Sequence, residues 1–249
     1  MFETTIPFGE PELMRASAYR LYLKELEAEA AQSGVSSRIS SLSPSLRADL
    51  YRFEAGGGAS EVLEVLAACV RHAKRVTIQL QFGERVVPLT VFPEERLVHC
   101  PVPIDQLLGP ALTELQVMHV EPALLRPPGD EDTTLVGEPR LHSPLTPLMW
   151  ELAMRGARKE LLPEIAGPAV YRVTPGLELG GLHLSGALLA AVYRLRHEGS
   201  NLRDMAEWPG FDRERAARLL NALYLQAGLM VSRSHPDAVS ESWFGGLGR

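Results

Sequence analysis

The sequence lacks most of the features that mark membrane, secreted or general nucleic-acid-binding proteins. It has only two cysteines, Cys69 and Cys100, which form no CxxC pair, so we expect buried free thiols of a cytosolic chain. Its formal net charge of −6 argues against a general nucleic-acid binder. No run approaches the roughly 20 apolar residues of a membrane span. The N-terminus also lacks the basic start and apolar run of a secretory signal. We therefore expect a cytoplasmic protein with no membrane partner.

Catalytic and metal-binding motifs are missing as well. The seven histidines include no HExxH motif and no i, i+4 pair on one helix. His99 and Cys100 are neighbours on a predicted strand, where adjacent side chains point to opposite faces and cannot easily share a metal. No Gly-x-Ser-x-Gly surrounds Ser185, and the glycines at 56–58 lack the Gly-Lys-Ser/Thr of a P-loop. The sequence therefore predicts no catalytic, cofactor-binding or metal-binding residue.

The most informative stretch is residues 186–234, which predicts the element order of a winged-helix unit. A helix, a short helix ended by a Pro-Gly pair, a second long helix and a strand follow one another. Asp212 is a suitable N-cap for the second long helix, because its carboxylate can accept backbone N–H groups of the first turn. Gly228 suits the C-cap, and Leu229 to Val231 begins the strand. Such units bind DNA or proteins.

The charge of this unit favours a protein partner over DNA. DNA affinity comes largely from Lys and Arg that neutralise phosphates, and Arg213, Arg215 and Arg218 lie on the predicted second long helix. Nearby acidic residues make the unit nearly neutral. Trp208 and Phe211 are candidate apolar contacts for a partner, with the alternative that they only pack across the Pro-Gly turn. The five candidate contact residues are therefore Arg213, Arg215, Arg218, Trp208 and Phe211.

The rest of the chain predicts an α+β protein: a small antiparallel β-sheet with helices, then a helical block and the winged-helix-like unit. A first helix spans Glu10 to Ala31, and a second, short one lies near Leu46 to Phe53. Further helices are predicted over 145–154 and 158–165. The expected divisions are 1–59 (N-terminal helix and flexible connector), 60–125 (hairpin-containing domain), 126–142 (linker loop), 143–235 (helical and winged-helix-like domain) and 236–249 (mobile tail).

Alternating patterns within 60–125 predict three strands, over 74–80, 85–92 and 96–100. Pro88 interrupts the second strand. Because proline cannot donate a ladder hydrogen bond, we expect a bulge or a sheet edge there. A helix over Ile104 to Leu112 and a strand over Leu115 to Val120 complete this region.

This part of the chain resembles a known family. A helix, a strand, a Gly-containing turn, a strand and an acidic turn precede the run Arg96-Leu97-Val98-His99-Cys100, which is similar to the opening of PATAN-type domains. Glu95 stands where that family usually has a turn glycine. PATAN-type domains are named for the N-terminal region of a cyanobacterial response regulator and occur in bacterial two-component signalling proteins. Their C-terminal part is similar to a winged helix with a Leu-rich helix and a Gly-Leu-aliphatic strand, as Leu219 to Val231 is here. The resemblance covers roughly residues 60–232.

The resemblance implies a signalling adaptor that works by protein contact, and the residues agree with that function. We therefore expect a non-enzymatic bacterial signalling or regulatory adaptor whose protein partner is not identified by the sequence. A winged-helix transcriptional regulator that binds DNA is the main alternative. An unfamiliar enzyme or ligand sensor, with a pocket between the β-rich part and the helical block, is less favoured. The first helix also has an apolar stripe through which the chain could form a homodimer.

Overall fold

The computed structural model describes residues 13–33, 42–55, 62–131, 135–180, 182, 184 and 186–233. The predicted tail over 236–249 lies outside these residues. The described residues form eight α-helices, a five-stranded antiparallel sheet and a two-stranded antiparallel sheet, which confirms the α+β class. None of the described helices is both long and apolar enough to cross a membrane. The chain divides into two compact units, Met1–Leu145 (unit 1) and Thr146–Arg249 (unit 2).

Unit 1 contains the five-stranded sheet, whose strand order is β4-β1-β2-β3-β5. A 3-10 helix over Pro110–Glu114 precedes β4, and another over Pro139–Leu141 precedes β5. The bounds of the main elements are α1 Ala16–Ser33, α2 Pro44–Ala55, α3 Val62–Arg71, β1 Val76–Phe82, β2 Arg85–Phe92, β3 Leu97–His99, α4 Ile104–Leu107, β4 Gln116–Pro122 and β5 His142–Pro144.

Strands β1 and β2 form a hairpin with a two-residue turn, in which Gly83 adopts a φ of 59°. Pro88 lies opposite Gln79. Hydrogen-bonded and non-hydrogen-bonded pairs alternate along the hairpin from the turn, and the Gln79–Pro88 pair is of the non-hydrogen-bonded kind, so the Pro88 nitrogen faces away from β1. On that outer side β3 pairs only with Thr90 to Phe92. Pro88 therefore occupies an unpaired stretch of strand edge, as its missing N–H requires.

Helix α1 begins later than the sequence predicts, because the residues before it pair with the hairpin. Arg15 forms a β-bridge with Arg85, and the Val86 N–H donates to the Met14 carbonyl at 2.9 Å. Tyr19 of α1 then packs with Ala16 and Val86 in a small buried cluster. The predicted N-terminal helix is therefore part of unit 1 rather than a separate arm.

Two further segments of unit 1 differ from expectation. The predicted helix over 104–112 is split: α4 ends at Leu107, and a 3-10 helix begins at Pro110. Gly109 precedes that proline, and a residue before proline disfavours the α-helical conformation. The predicted linker loop over 126–142 also contains structure, because Arg126 bridges Val136 and the chain enters β5 at His142.

The described residues of unit 2 form four α-helices and the two-stranded sheet, and α5 begins at the boundary between the units. Its bounds are α5 Leu145–Arg155, β6 Val170–Val173, α6 Ala187–His197, α7 Leu202–Ala206, α8 Arg213–Leu225 and β7 Leu229–Ser232.

Helices α6, α7 and α8 and strand β7 occur in the predicted order. Asp212 is the N-cap of α8, since its carboxylate accepts the Arg215 N–H at 2.7 Å. At the other end, the left-handed residue is Ala227 (φ 54°) rather than Gly228. Gly228 is needed for space, because a Cβ there would lie 2.3 Å from a methyl carbon of Leu177.

The described part of β7 does not pair with a strand that follows it. It pairs with β6, which precedes all three helices in the sequence. On the other side of β6, Tyr171 and Ser200 exchange two backbone hydrogen bonds of 2.8 and 3.0 Å. The winged-helix assignment thus stays a prediction, because residues 234–249, where a wing would continue, lie outside the described structure.

The predicted helix over Arg158–Ile165 is wrong. These described residues form turns and irregular backbone, and Pro163 interrupts them without an N–H group. Side chains bind the carbonyls that a helix would use internally: Arg158 donates to the Glu160 and Leu161 carbonyls at 2.9 and 2.6 Å. Side-chain hydrogen bonds have replaced part of the backbone bonding of a helix.

Candidate interaction site in the helical unit

Helix α8, the predicted recognition helix, is buried along most of its length. Only Arg213 and Arg215 are exposed, and both lie in the first turn. From Ala216 onward, apolar residues cover nearly the whole circumference, as in a helix at the centre of a core. A recognition helix contacts base edges mainly with its N-terminal residues. In α8, Arg213 and Arg215 are the exposed residues in that position, and the rest of the helix is buried or half-buried.

Arg218 is engaged in contacts inside unit 2. Its Nε donates to Glu214 at 3.0 Å, and its Nη1 donates to the carbonyls of Ala153 and Gly156 at 3.4 and 2.9 Å. Those carbonyls lie at the C-terminal end of α5, where helix carbonyls lack intrahelical partners. Only 12% of the Arg218 side chain is exposed. Arg218 therefore joins α8 to α5.

The other two arginines point to different surroundings. Arg213 lines a surface cavity with Glu160 and the 166–168 segment. Arg215 donates to the Gly210 carbonyl at 2.7 Å and lies over the Phe211 ring, 5.4 Å from its centroid. The three arginines therefore do not form one basic face.

Trp208 and Phe211 pack against each other across the Pro-Gly turn. Their ring centroids are 6.2 Å apart in an edge-to-face arrangement. Trp208 is buried, and the Arg194 guanidinium lies 4.4 Å from its ring centroid. Phe211 is only half-buried. This geometry fits the alternative in which the pair fixes the turn, and it leaves Phe211 as the more accessible of the two.

Helix α6 carries an exposed apolar strip that sequence reasoning missed. Leu188, Ala191, Val192 and Leu195 face the core. On the opposite side Leu189 and Tyr193, one turn apart, are 55% and 65% exposed, and Tyr193 packs on His197 with centroids 4.6 Å apart. The sequence of α6 contains a sign of this strip, because a helix that is buried on one side only should have polar residues on the other side, and α6 has apolar residues on both.

Asn221 is a buried polar residue whose role the sequence does not reveal. It lies within the Leu-rich stretch of α8 and is fully buried. Its Oδ1 accepts the Leu162 N–H at 2.8 Å, and its Nδ2 donates to the Glu160 carbonyl at 2.9 Å. Asn221 thereby satisfies backbone groups of the irregular 158–165 segment.

In unit 1 the structure brings together a serine, a histidine and an aspartate that are far apart in sequence. The Nε2 of His72 lies 2.7 Å from the Asp49 carboxylate, and its Nδ1 lies 3.4 Å from the Ser45 hydroxyl. Arg71 also pairs with Asp49. The order resembles a nucleophile, base and orienting acid. However, Asp49 is shared with Arg71, and the contacts tie α2 to α3, which explains the arrangement structurally.

A second histidine cluster lies between β3 and β5. His99 and His142 are cross-strand neighbours with ring centroids 4.9 Å apart. Burial lowers the pKa of His99, nearby His142 lowers it further, and Glu138 opposes the change. Neither histidine was a sequence-based candidate, because the pairing depends on the register of two strands.

The cysteines are buried and free. Burial raises the pKa of Cys69 to about 12 and that of Cys100 to about 11, so both are thiols at neutral pH. In the described ranges, no three His, Cys, Asp or Glu side chains are grouped so that they could hold a metal ion.

Comparison with known proteins gives no independent guide to this chain. No family model, curated protein or solved structure matches it. The resemblance to PATAN-type domains therefore stays a prediction, and the contacts and exposure of unit 2 are the basis for assigning a function.

Proposed function

We propose that the protein is a non-enzymatic signalling or regulatory adaptor that acts through protein–protein contacts. The observation that carries this proposal is the exposed strip formed by Leu189 and Tyr193 on α6. Two large apolar side chains one turn apart can insert together into a partner, and aromatic residues at such positions often dominate binding energy. The cytoplasm is the compartment we infer for such an adaptor.

The charge around the strip specifies the kind of partner. Arg194 is already paired with Glu198, directly after α6, and Arg196 donates to the Leu177 carbonyl at 2.7 Å. Of the two cations, Arg196 is therefore the one without a carboxylate partner among the described residues, and a partner that complements the strip has an apolar centre with an acidic side chain at the Arg196 border. The wider surface stays electrostatically unfavourable for nucleic acid.

DNA binding is the weaker candidate, because the residues that it needs are engaged elsewhere. Arg218 binds carbonyls of α5, Trp208 is buried, and α8 exposes only its first turn. Fluorescence anisotropy with mixed duplex DNA at low salt checks this alternative. Salt-sensitive binding that is lost in an Arg213→Ala, Arg215→Ala double variant would support a DNA-binding regulator instead.

The adaptor proposal is tested by a pair of variants compared with the wild-type chain. Leu189→Ser with Tyr193→Ser removes the strip, and Leu124→Ser is the matched control because Leu124 is a 74% exposed leucine in unit 1. Proteins recovered from lysate with the wild type and the control, but not with the double variant, are then purified. We expect the double variant to bind such a partner at least about tenfold more weakly, because truncation of a hot-spot residue costs about 1–2 kcal/mol or more.

The result that overturns the proposal is equally direct. If all three proteins recover the same partners, and purified partners bind them with equal affinity, then the strip is not the contact surface. Sedimentation velocity of the wild type and double variant separates a second outcome: a dimer lost only in the double variant identifies another copy of this chain as the partner.

A further inference from the structure

Strand β5 is a short edge strand that closes the sheet of unit 1. It pairs with β3 over three residue pairs. A backbone hydrogen bond lies on either side of these pairs: the Cys100 N–H donates to the Leu141 carbonyl at 3.0 Å, and the Leu145 N–H donates to the Arg96 carbonyl at 2.8 Å. Because β5 has so few backbone hydrogen bonds, side-chain contacts contribute much of the free energy that keeps it on the sheet.

The central side-chain contact is the pair of histidines. His99 on β3 and His142 on β5 lie opposite each other, and the Phe92 ring stacks on His142 with centroids 6.0 Å apart. The backbone before β5 closes over His99: a Cβ on Gly137 would lie 2.4 Å from the His99 Nε2. His99 is only 9% exposed. The two rings are therefore enclosed at close range.

The hydrogen bonds of His142 define its neutral form. Its Nδ1 lies 3.1 Å from the Glu138 carbonyl, which can only accept, so Nδ1 carries the ring proton. Nε2 then has a lone pair, and this buried atom has no hydrogen-bond partner among the described residues. The His142 ring is thus fixed beside His99 by its Nδ1 bond, with Nε2 enclosed and unbonded.

The surrounding charges offset the enclosure of His99 only in part, because Glu138 raises the His99 pKa while burial and His142 lower it. Glu138 is an exposed carboxylate already bound to Arg140, whose Nε lies 2.5 Å from its oxygen. On β2 and β1, the residues next to His99 in the same cross-strand row are Thr90 and Thr77, which are uncharged and bonded to each other at 3.0 Å. The row ends on β4 at Glu121, whose carboxylate accepts a hydrogen bond from Gln79.

We propose that the His99–His142 pair is an acid-sensitive switch that holds the segment Gly137–Pro144 against β3 while the enclosed His99 ring is neutral. When His99 takes up a proton, its charge lies in a closed contact with a second imidazole, and β5 leaves the sheet.

The direction of the pH dependence follows from linkage. The pKa of folded His99 lies below its ordinary value, so the released form binds a proton more readily than the folded form. The stabilisation from neutral His99 is therefore complete above about pH 6.5 and is lost as the pH falls from there through the folded pKa. Titration of His99 can change the ratio of released to bound segment by at most about tenfold per pH unit.

Amide hydrogen exchange of the full chain between pH 7.5 and 5.0, corrected for intrinsic rates, tests the switch. The Cys100 amide bonds to Leu141, directly before β5, and the Leu145 amide lies directly after β5. We expect both amides to lose protection by about tenfold or more relative to Val91 in the β1–β2 hairpin. His142→Phe keeps a planar ring against Phe92 and removes the second imidazole, which lowers the His99 pKa, so the acid-induced loss should become smaller.

His197→Phe is the matched control, because His197 is an exposed histidine of unit 2. It should show the wild-type pH dependence. A direct NMR titration of His99 in the wild type needs no variant, and it should find a pKa below 6.5. The proposal is overturned if the two amides keep their protection relative to Val91 down to pH 5.0, or if His99 titrates at or above 6.5.

Discussion

Replacement of Asn221 by leucine should lower the free energy of unfolding of unit 2, although leucine suits the other positions of this Leu-rich helix. Leucine has the same branching and the same number of heavy atoms, although its two methyl groups are larger than the amide oxygen and nitrogen that they replace. However, the substitution removes the acceptor for the Leu162 N–H and the donor to the Glu160 carbonyl. Leu162 is fully buried, so water cannot replace the lost acceptor without rearrangement of the segment.

The magnitude follows from these two bonds. A typical intramolecular hydrogen bond contributes about 1 kcal/mol net, and a buried donor left without an acceptor costs about 1–3 kcal/mol. Greater apolarity of leucine offsets part of this loss. We therefore expect the free energy of unfolding to fall by about 2–4 kcal/mol, a large part of the stability of an ordinary domain.

Urea unfolding followed by tryptophan fluorescence measures this change, because Trp150 and Trp208 are both buried in unit 2. Arg203→Leu places the same side chain on the exposed surface of α7 and should change the free energy of unfolding by less than about 0.5 kcal/mol. Hydrogen exchange of the Leu162 amide gives a local readout. A loss below about 1 kcal/mol in Asn221→Leu, with that amide still protected, would refute the reasoning.

Three further predictions concern other contacts. Arg218→Ala should lower the free energy of unfolding by about 2 kcal/mol, because it removes charged hydrogen bonds to the Ala153 and Gly156 carbonyls at the end of α5. Arg215→Ala should lower it by less. Equal urea midpoints for the two variants would contradict this. Gly137→Ala should cost about 1–3 kcal/mol in a thermal melt followed by circular dichroism, since the added Cβ would lie 2.4 Å from a histidine nitrogen. Cys69 and Cys100, with pKa values raised to about 12 and 11, should react with a thiol reagent at pH 8 only as fast as the protein unfolds; rapid labelling of the native protein would show that burial does not protect them.

Features set by local chemistry were predictable from the sequence. Asp212 caps α8 as expected, because an N-cap depends on groups only three residues apart. The hairpin with Gly83 in its turn and the edge position of Pro88 likewise follow from short-range constraints. The α+β class follows from adding such elements together.

Features set by long-range contacts were not predictable. The segment 158–165 has a helical pattern, yet its Glu160 and Leu161 carbonyls accept hydrogen bonds from the side chains of Arg158 and Asn221. Arg218 lies at a helical spacing that suggests a DNA contact, and only the position of the α5 C-terminus shows that it binds there. The His99–His142 pair needs the register of β3 and β5, which no local pattern specifies.

The pairing of β6 with β7 has a consequence for biosynthesis. β6 is made before the three helices and β7 after them, so the sheet of unit 2 joins segments that flank these helices in the sequence. During synthesis, β6 can gain Ser200 as a backbone partner first, and its other edge stays open until β7 has been translated. Unit 2 should therefore complete its fold after translation of its last described strand, and a transcript truncated within α8 should yield a chain whose β6 has an unpaired edge and is prone to aggregate.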